Sequence, residues 1–259
     1  MEIVGDGFLA RHLKSIEGDH PGVVVAAAGV SAAGHTSEAE FSREATLVYD
    51  LVHRCAESGE RLLFFSTAST GMYSVPGEPG VEAGPVFPAT PYGRHKLALE
   101  SVLTASGIDH LILRLGHVVG PDQPPHQLLP ALTAQVAAGS VRVFSGARRD
   151  LIDVADVVGI ISQLLDAGVS RTRVNVASGF AVPIERIVRH LERRLGTTAE
   201  WHYQRRTMDQ PVSIAKLRRL VPAVTGMGFG PEYHVSVLDR FLASNSPDGL
   251  VPTTPTISP

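Results

Sequence analysis

Tyr92 lies four residues ahead of Lys96 in the stretch Ala-Thr-Pro-Tyr-Gly-Arg-His-Lys, residues 89–96. On a helix, this spacing places both side chains on one face, one turn apart. A tyrosine of ordinary pKa, about 10, is a poor base at neutral pH, but a nearby ammonium favours the phenolate and lowers that pKa. The pair therefore predicts a proton-transfer site. The alternative is a tyrosine that packs at a helix start and a lysine on a solvated face, because a short motif is weak evidence alone.

A segment rich in hydroxyl groups, FFSTASTGMYS (64–74), precedes this pair and begins inside the apolar run RLLFFST (61–67). Such a run is typical of a buried strand. In a parallel sheet, ligands bind outside the carboxyl ends of the strands. The hydroxyl groups of this segment are therefore expected to face a bound ligand.

Residues 5–10, Gly-Asp-Gly-Phe-Leu-Ala, form a Gly-x-Gly-x-x-Ala pattern between a short strand and a helical stretch. Gly5 permits a tight turn, Gly7 lets a pyrophosphate approach the backbone, and Ala10 lets the helix lie close to the sheet. The helix N-terminus then attracts the phosphates through its dipole and its N–H groups. An ordinary strand–turn–helix connection is the alternative. The predicted dinucleotide-binding residues of this region are Gly5, Gly7, Phe8, Leu9, Ala10 and Ala28.

Strand-like and helix-like stretches alternate along the chain, which predicts an α/β fold with a doubly wound parallel sheet. The predicted strands are residues 2–4, 22–29, 61–67, 110–115 and 172–178. The predicted helices are residues 8–16, 38–58, 92–105, 128–138, 153–168 and 183–195. The predicted parts are a core over 1–178, a small C-terminal substrate lobe over 179–242 with contributions from 117–150, and a flexible tail over 243–259 that is rich in Pro, Ser and Thr.

The composition fits one large domain, or a core with a smaller lobe: the chain has 259 residues, 44% of them hydrophobic, and a formal net charge of −3. The near-neutral charge argues against nucleic acid as a partner. With Cys55 as the single cysteine, no internal disulfide or cysteine metal cluster forms, and a cytoplasmic location is expected. The first residues do not resemble a signal peptide, no apolar run approaches a membrane span, and the histidines lack metal-ligand spacing.

Five motifs in order resemble the extended short-chain dehydrogenase/reductase family, in particular its NAD-dependent sugar-nucleotide epimerases, dehydratases and ketoreductases. The resemblance covers about residues 1–240 and implies a Rossmann-like core, NAD or NADP as cofactor, and a nucleotide sugar as the small-molecule substrate. The motifs are the glycine turn (5–10), the hydroxyl-rich strand end (64–74), Tyr-x-x-x-Lys (92–96), LILRLGHVVGP (111–121) and RRDLIDVADVV (148–158).

The resemblance implies three catalytic residues. In the family, the catalytic hydroxyl lies four residues before a tyrosine, and Tyr73 sets this register at Ser69. Tyr92 matches the catalytic tyrosine, and Lys96 matches a lysine that tunes it and reaches the nicotinamide ribose. Ser69 would hold the substrate oxygen by a hydrogen bond while charge develops on it.

The same resemblance implies a substrate site. Arg149 matches an arginine that contacts the diphosphate of a sugar nucleotide, although the adjacent Arg148 makes a surface role the alternative. Arg205 or Arg206 is placed for a second phosphate contact, and His117 stands where the family commonly has asparagine, with a structural histidine as the alternative. The predicted substrate-binding residues are Ser69, Thr70, His117, Arg149, Arg205 and Arg206.

The chain departs from the family pattern in its amino-terminal half. Only one strand and one helix precede the strand at 22–29, so about forty residues and two strands are missing from the usual order. The sheet edge that carries the residue choosing between NAD and NADP is lost with them. Dinucleotide binding is then weak, completed by another subunit, or absent.

Three functions are compatible with these residues. The leading prediction is an NAD(P)-dependent reductase of a keto group on a nucleotide-linked sugar or a related small keto substrate, with Tyr92 as proton donor. An epimerase using the same residues is the close alternative, and a non-redox acid–base enzyme or ligand-binding protein is another. A dehydratase is disfavoured, because its Asp-Glu pair is replaced by Thr70 and Gly71. The resemblance also implies a possible homodimer through helices 38–58 and 92–105.

Overall fold

A computed structural model describes residues 1–31, 37–69, 72–73, 78–205 and 211–245. The strands within these ranges are β1 (Glu2–Val4), β2 (Val23–Ala26), β3 (Arg61–Thr67), β4 (His110–Leu115), β5 (His117–Val119), β6 (Ser140–Ser145), β7 (Arg148–Asp153), β8 (Thr172–Val176), β9 (Ala181–Pro183) and β10 (Glu200–Arg205). The α-helices are α1 (Phe8–Leu13), α2 (Glu38–Ser58), α3 (Pro91–Ala105), α4 (Leu128–Ala137), α5 (Val154–Asp166), α6 (Ile184–Leu195), α7 (Ala215–Leu220) and α8 (Tyr233–Asn245).

The main sheet has five parallel strands in the order β1-β2-β3-β4-β8. Each of these strands was predicted from its apolar run, and β3 and β4 have the predicted bounds. The predicted strand at 22–29 is shorter, because only Val23–Ala26 pair with β3 and only Val24–Ala26 pair with β1. In the described residues β1 is the edge strand next to β2. This is expected when the usual second and third strands are missing from the amino-terminal half.

Helices cover both faces of this sheet, which confirms the predicted doubly wound fold. On one face, Leu62 and Phe64 of β3 pack in one core with residues of α2 and α3. On the other face, Leu63 and Phe65 pack in a second core with residues of α1 and α5. The alternation along β3 follows from the two-residue period of side chains in a strand.

A separate hydrophobic core holds the second part of the molecule. It is built mainly from α4, α6 and α8 around the parallel pair β6 and β10. The strands β5, β7 and β9 form a further small sheet. The sequence prediction missed all five of these strands. It also began the flexible tail too early, because α8 continues through Asn245 and residues 243–245 are helical. Residues 246–259 of the predicted tail lie outside the described residues.

Local capping fixes where α2 and α3 begin. Thr90 caps α3 by accepting a hydrogen bond from the Gly93 N–H, and Pro91 occupies the first helical position, where its missing N–H has no cost. Ser37 and Glu40 form a capping box at the start of α2. Tyr92 therefore falls in the first turn of α3, next to the carboxyl ends of the parallel strands.

No described helix has the length and apolar character that crossing a membrane requires.

A buried ion pair ties α3 to the centre of the sheet. Arg114 on β4 is 1% exposed, and its Nε and Nη2 atoms donate to the two oxygens of Glu100, which is fully buried, at 2.8 and 2.6 Å. Ser66 donates to Glu100 at 2.5 Å, and the Tyr73 hydroxyl accepts from Arg114 and donates to Asn175. This network holds α3 against β3 and β4, next to the strand ends where a ligand would bind.

Candidate active site

A cavity of about 870 Å³ opens at the carboxyl ends of β2, β3 and β4. This is the location where open parallel sheets bind their ligands. The structure brings most of the predicted site residues to its wall. Those that line the cavity are Gly7, Phe8, Leu9, Ser69, Tyr92, Lys96, His117 and Arg149.

Other predicted residues lie elsewhere. Ala10 is fully buried beneath the turn, where it allows the close packing of α1 that its position predicts. Ala28 is exposed, and the cavity wall is formed by its neighbours Ala27 and Gly29 instead. Arg205 is exposed at the end of β10 and is absent from the described wall. The predictions on Thr70 and Arg206 fall outside the described residues.

The glycine turn lies against the end of β2. Gly5 has a φ of +132°, a backbone conformation that side chains of other residues rarely adopt. A Cβ atom on Gly5 would lie 2.6 Å from the carbonyl carbon of Ala27 and 2.7 Å from the Ala28 nitrogen. Gly7 is the N-cap of α1 and lines the cavity. Gly5 therefore sets the close contact of the two strand ends, and Gly7 forms the wall.

We expect Gly5→Ala to destabilise the protein by about 1–3 kcal/mol from backbone strain, with the clash against Ala27 adding to this cost. Urea unfolding measures the loss. The matched control is Gly18→Ala, because a Cβ atom on Gly18 would meet nothing within 4 Å. Equal unfolding midpoints for the two variants would contradict this account of the turn.

Lys96 is not a solvated lysine. Its side chain is 3% exposed, and its Nζ atom lies 5.7 Å from the centre of the Tyr92 ring. The same ammonium donates to Glu44 Oε1 at 2.5 Å and to the Phe65 carbonyl at 3.1 Å. The alternative of a lysine on a solvated face is therefore wrong, and the ammonium has a buried carboxylate partner that the sequence prediction did not include.

The ionisation of Tyr92 differs from the sequence prediction. Burial raises the pKa of the Tyr92 phenol above its ordinary value; the Lys96 ammonium opposes this shift, and the Glu44 carboxylate adds to it. The Lys96 ammonium lowers the pKa of Tyr92 as predicted, but burial has the larger effect, so the net shift is upward. At neutral pH the phenol is protonated, which suits a proton donor better than a base.

Glu44 is the site residue that sequence reasoning missed. It is 2% exposed on α2; one carboxylate oxygen binds Lys96, and the other lies 3.0 Å from His95 Nε2. A signal for it exists in the sequence: Glu44 lies four residues before Val48, on the apolar face of α2. A carboxylate on a buried helix face requires a partner, and only the folded structure shows which one.

Ser69 lies just beyond the end of β3, beside Thr67. The two hydroxyl oxygens are 3.0 Å apart, and the Ser69 N–H donates to Thr67 Oγ1 at 3.1 Å. Both residues line the cavity. The Thr67 side chain thus holds the Ser69 backbone and hydroxyl in place at the strand end.

His117 and Arg149 lie on the neighbouring strands β5 and β7 and line the cavity. Burial, and next the charge of Arg149, lower the pKa of His117 to about 3, so its imidazole is neutral at physiological pH. Its Nδ1 atom is buried and has no hydrogen-bond partner among the described residues. Arg148 instead is exposed and donates to the Ala181 carbonyl at 2.6 Å, so Arg149 is the arginine of the pair that faces the cavity.

No group of three or more His, Cys, Asp or Glu side chains within the described ranges is arranged to hold a metal ion.

The fold is that of a Rossmann-like protein with a cavity at the carboxyl ends of its parallel strands. Within that class, the chain belongs to the NAD dependent epimerase/dehydratase family, whose model matches residues 10–177. The family membership that the five ordered motifs predict is thus confirmed.

One curated relative, the dTDP-6-deoxy-L-talose 4-dehydrogenase (NAD(P)(+)) of Kitasatospora kifunensis, is 30% identical over 195 residues. The match covers 69% of this chain, and the chain spans 60% of the length of that relative.

Solved structures share the fold. RMD from Pseudomonas aeruginosa, complexed with NADPH, superposes with a TM-score of 0.71 at 21% identity over 93% of this chain and 98% of its own. The UDP-glucose 4-epimerase of Thermus thermophilus, in complex with NAD, gives a TM-score of 0.67 at 24% identity over 90% of this chain and 82% of its own.

Proposed function

We propose that this protein is an NAD(P)-dependent ketoreductase that acts on a nucleotide-linked sugar, with Tyr92 as the proton donor. The observation that carries the proposal is a shared cavity: Tyr92, Lys96, Ser69 and the glycine turn all line it. Reduction of a ketone needs a proton for the oxygen at the moment when a hydride reaches the carbon. A phenol that keeps its proton at neutral pH is suited to that step.

The cavity residues fit a nicotinamide dinucleotide. Gly7 places its backbone on the cavity wall and Phe8 and Leu9 continue that wall, while Gly5 lets the turn lie close against Ala27. These residues would hold the pyrophosphate end of the cofactor. When bound, the dinucleotide supplies the hydride for the substrate carbon.

The chain's own residues supply the proton and orient the substrate carbonyl. Ser69 donates a hydrogen bond to the substrate carbonyl oxygen and stabilises the negative charge that develops there. Tyr92 transfers its proton to that oxygen. The Lys96 ammonium then favours the phenolate that remains.

We propose a nucleotide-linked keto-deoxysugar as the substrate class. The relative that matches 69% of this chain is a dehydrogenase of dTDP-6-deoxy-L-talose at the 4-position, so the corresponding dTDP-linked 4-keto sugar is the first substrate to test. Arg149 would bind the diphosphate through paired hydrogen bonds. His117 would use its neutral imidazole to bind a sugar hydroxyl, because its Nδ1 atom has no partner in the described chain.

The test is a titration with NADH and NADPH, followed by addition of the dTDP-linked 4-keto-6-deoxysugar. We expect at least one dinucleotide to bind and the absorbance of reduced nicotinamide to fall in proportion to product formed. If neither dinucleotide binds at millimolar concentration, the reductase is excluded. Tightly bound NAD without net consumption during turnover would instead identify an epimerase.

Arg149→Gln is expected to raise KM for the nucleotide sugar by about 10- to 100-fold, because charge-assisted hydrogen bonds are worth about 1.5–3 kcal/mol. Initial rates at varied substrate concentration measure the effect. The matched control is Arg148→Gln, since Arg148 lies on the same strand but is exposed and bonded to Ala181. An equal change of KM in both variants would contradict the assignment of Arg149.

A further inference from the structure

Glu44 lies on α2, outside the motifs that define the family, and contacts the lysine of the proposed proton-transfer pair. We propose that Glu44 is a positioning residue for that transfer: it supplies the buried counter-charge that fixes the Lys96 ammonium beside Tyr92. The inference rests on the proposed function, because Glu44 acts through Lys96 and not on the substrate.

The contact between the two groups is buried on both sides. The side chains of Glu44 and Lys96 are 2% and 3% exposed, and their nearest atoms are 2.5 Å apart. An ammonium moved out of water without a counter-charge tends to release its proton rather than stay charged. Glu44 supplies that counter-charge at the position where the ammonium can attract a Tyr92 phenolate.

Ionisable groups face Lys96 from two helices. α2 contributes Glu44, and α3 contributes Tyr92 and His95, whose Nε2 lies 3.0 Å from the second oxygen of Glu44. β3 contributes a carbonyl and the ring of Phe64, 5.0 Å from the Lys96 Nζ. Because both oxygens of Glu44 are bound to side chains of α3, the carboxylate has one fixed orientation.

The loop after β2 leaves room for this carboxylate. A Cβ atom on Gly29 would lie 2.3 Å from Glu44 Oε1 and 3.2 Å from Lys96 Nζ. Any larger residue at this position would displace the carboxylate from the ammonium. Gly29 lines the cavity together with Lys96, so the ion pair lies at the cavity wall.

The first test compares Glu44→Gln with Glu57→Gln on the same helix. Glu57 is a suitable control because it is exposed and its partner, His53, is exposed as well. We expect kcat of Glu44→Gln to fall by up to about 100-fold at neutral pH with little change in KM, since misplacing a reacting group has costs of this size. The lost rate should partly return as the pH is lowered, because protonation restores the ammonium. A merely structural role would not produce this recovery.

The second measurement does not depend on turnover. The chain has three lysines, Lys14, Lys96 and Lys216, so selective carbon-13 labelling gives three ε-carbon signals in NMR spectra. We expect the pH at which the Lys96 ammonium signal is lost to fall in the order parent, Glu44→Asp, Glu44→Gln, and kcat to follow the same order. Should Glu44→Gln not fold, the comparison of parent with Glu44→Asp carries the test.

An unchanged Lys96 signal together with parental kcat in the Glu44 variants would overturn the proposal. This outcome is distinct from failure of the proposed function. If Tyr92→Phe retains turnover, the proposed function fails; if Tyr92→Phe loses turnover while the Glu44 variants do not, only the role of Glu44 fails.

Discussion

Tyr92→Phe is expected to lower kcat for keto reduction by about 10²- to 10⁴-fold, the usual contribution of a positioned general acid. The substitution keeps the aromatic ring near the Lys96 ammonium and removes only the hydroxyl that carries the proton. Binding of the dinucleotide and the thermal unfolding temperature should change little. Steady-state rates with saturating substrate, together with a direct binding titration, measure these effects.

Tyr49→Phe is the matched control, because Tyr49 lies on α2 and its side chain is 56% exposed. It should leave kcat at the parental value. A Tyr92→Phe protein that turns over at the parental rate would remove Tyr92 as the proton donor, even if the cofactor still binds.

Glu100→Gln is expected to lower the free energy of unfolding by about 3–5 kcal/mol, which is the cost of leaving one partner of a buried ion pair uncompensated. Arg114 is 1% exposed and contacts both oxygens of Glu100. In the variant its guanidinium would no longer have a carboxylate as counter-charge. Ser66 and Tyr73 belong to the same network, so their hydrogen bonds would weaken as well. Denaturant unfolding followed by circular dichroism measures the change.

Two further variants test the cause of that loss. Glu2→Gln should change stability little, because the ion pair of Glu2 with Arg54 is exposed on both sides. The double variant Glu100→Leu/Arg114→Met should recover much of the stability, because neither charge remains buried. A Glu100→Gln protein as stable as its parent would show that the network does not hold α3 in place.

Much of the core fold follows from sequence pattern. The strands β3 and β4 have the predicted bounds, because their apolar runs are flanked by polar or turn residues that end them sharply. The helix at 38–58 is also predicted correctly, since Ser37 and Glu40 start it and Gly59 ends it in a left-handed conformation.

The smaller strands could not be predicted in the same way. β5 and β9 are three residues long, and β10 carries mostly exposed side chains. A three-residue strand has too few positions to establish a period, and an exposed strand lacks the alternation of apolar residues that marks a buried face. Their pairing with β7 and β6 is decided by tertiary contacts.

The part of the candidate site that could be predicted is the part formed by motif residues at the carboxyl edge of the sheet. Tyr92, Lys96 and Ser69 line one cavity because β3 ends and α3 begins at the same edge of the sheet. Glu44 was not predictable as part of this site, because it comes from a helix that is distant in sequence and the contact depends on how α2 packs against α3. The pKa of Tyr92 depends on how deeply the same packing buries its hydroxyl. The upward direction of the pKa shift could therefore be seen only in the structure.

Hydride transfer to a sugar ketone is tested most directly with a reduced dinucleotide that carries deuterium at the transferred position of the nicotinamide ring. It is incubated with the protein and a dTDP-linked 4-keto-6-deoxysugar, and the sugar product is analysed by mass spectrometry. We expect one deuterium on the former keto carbon for each dinucleotide oxidised. A product without deuterium, or a dinucleotide that is not oxidised, would contradict the assignment of this protein as a ketoreductase.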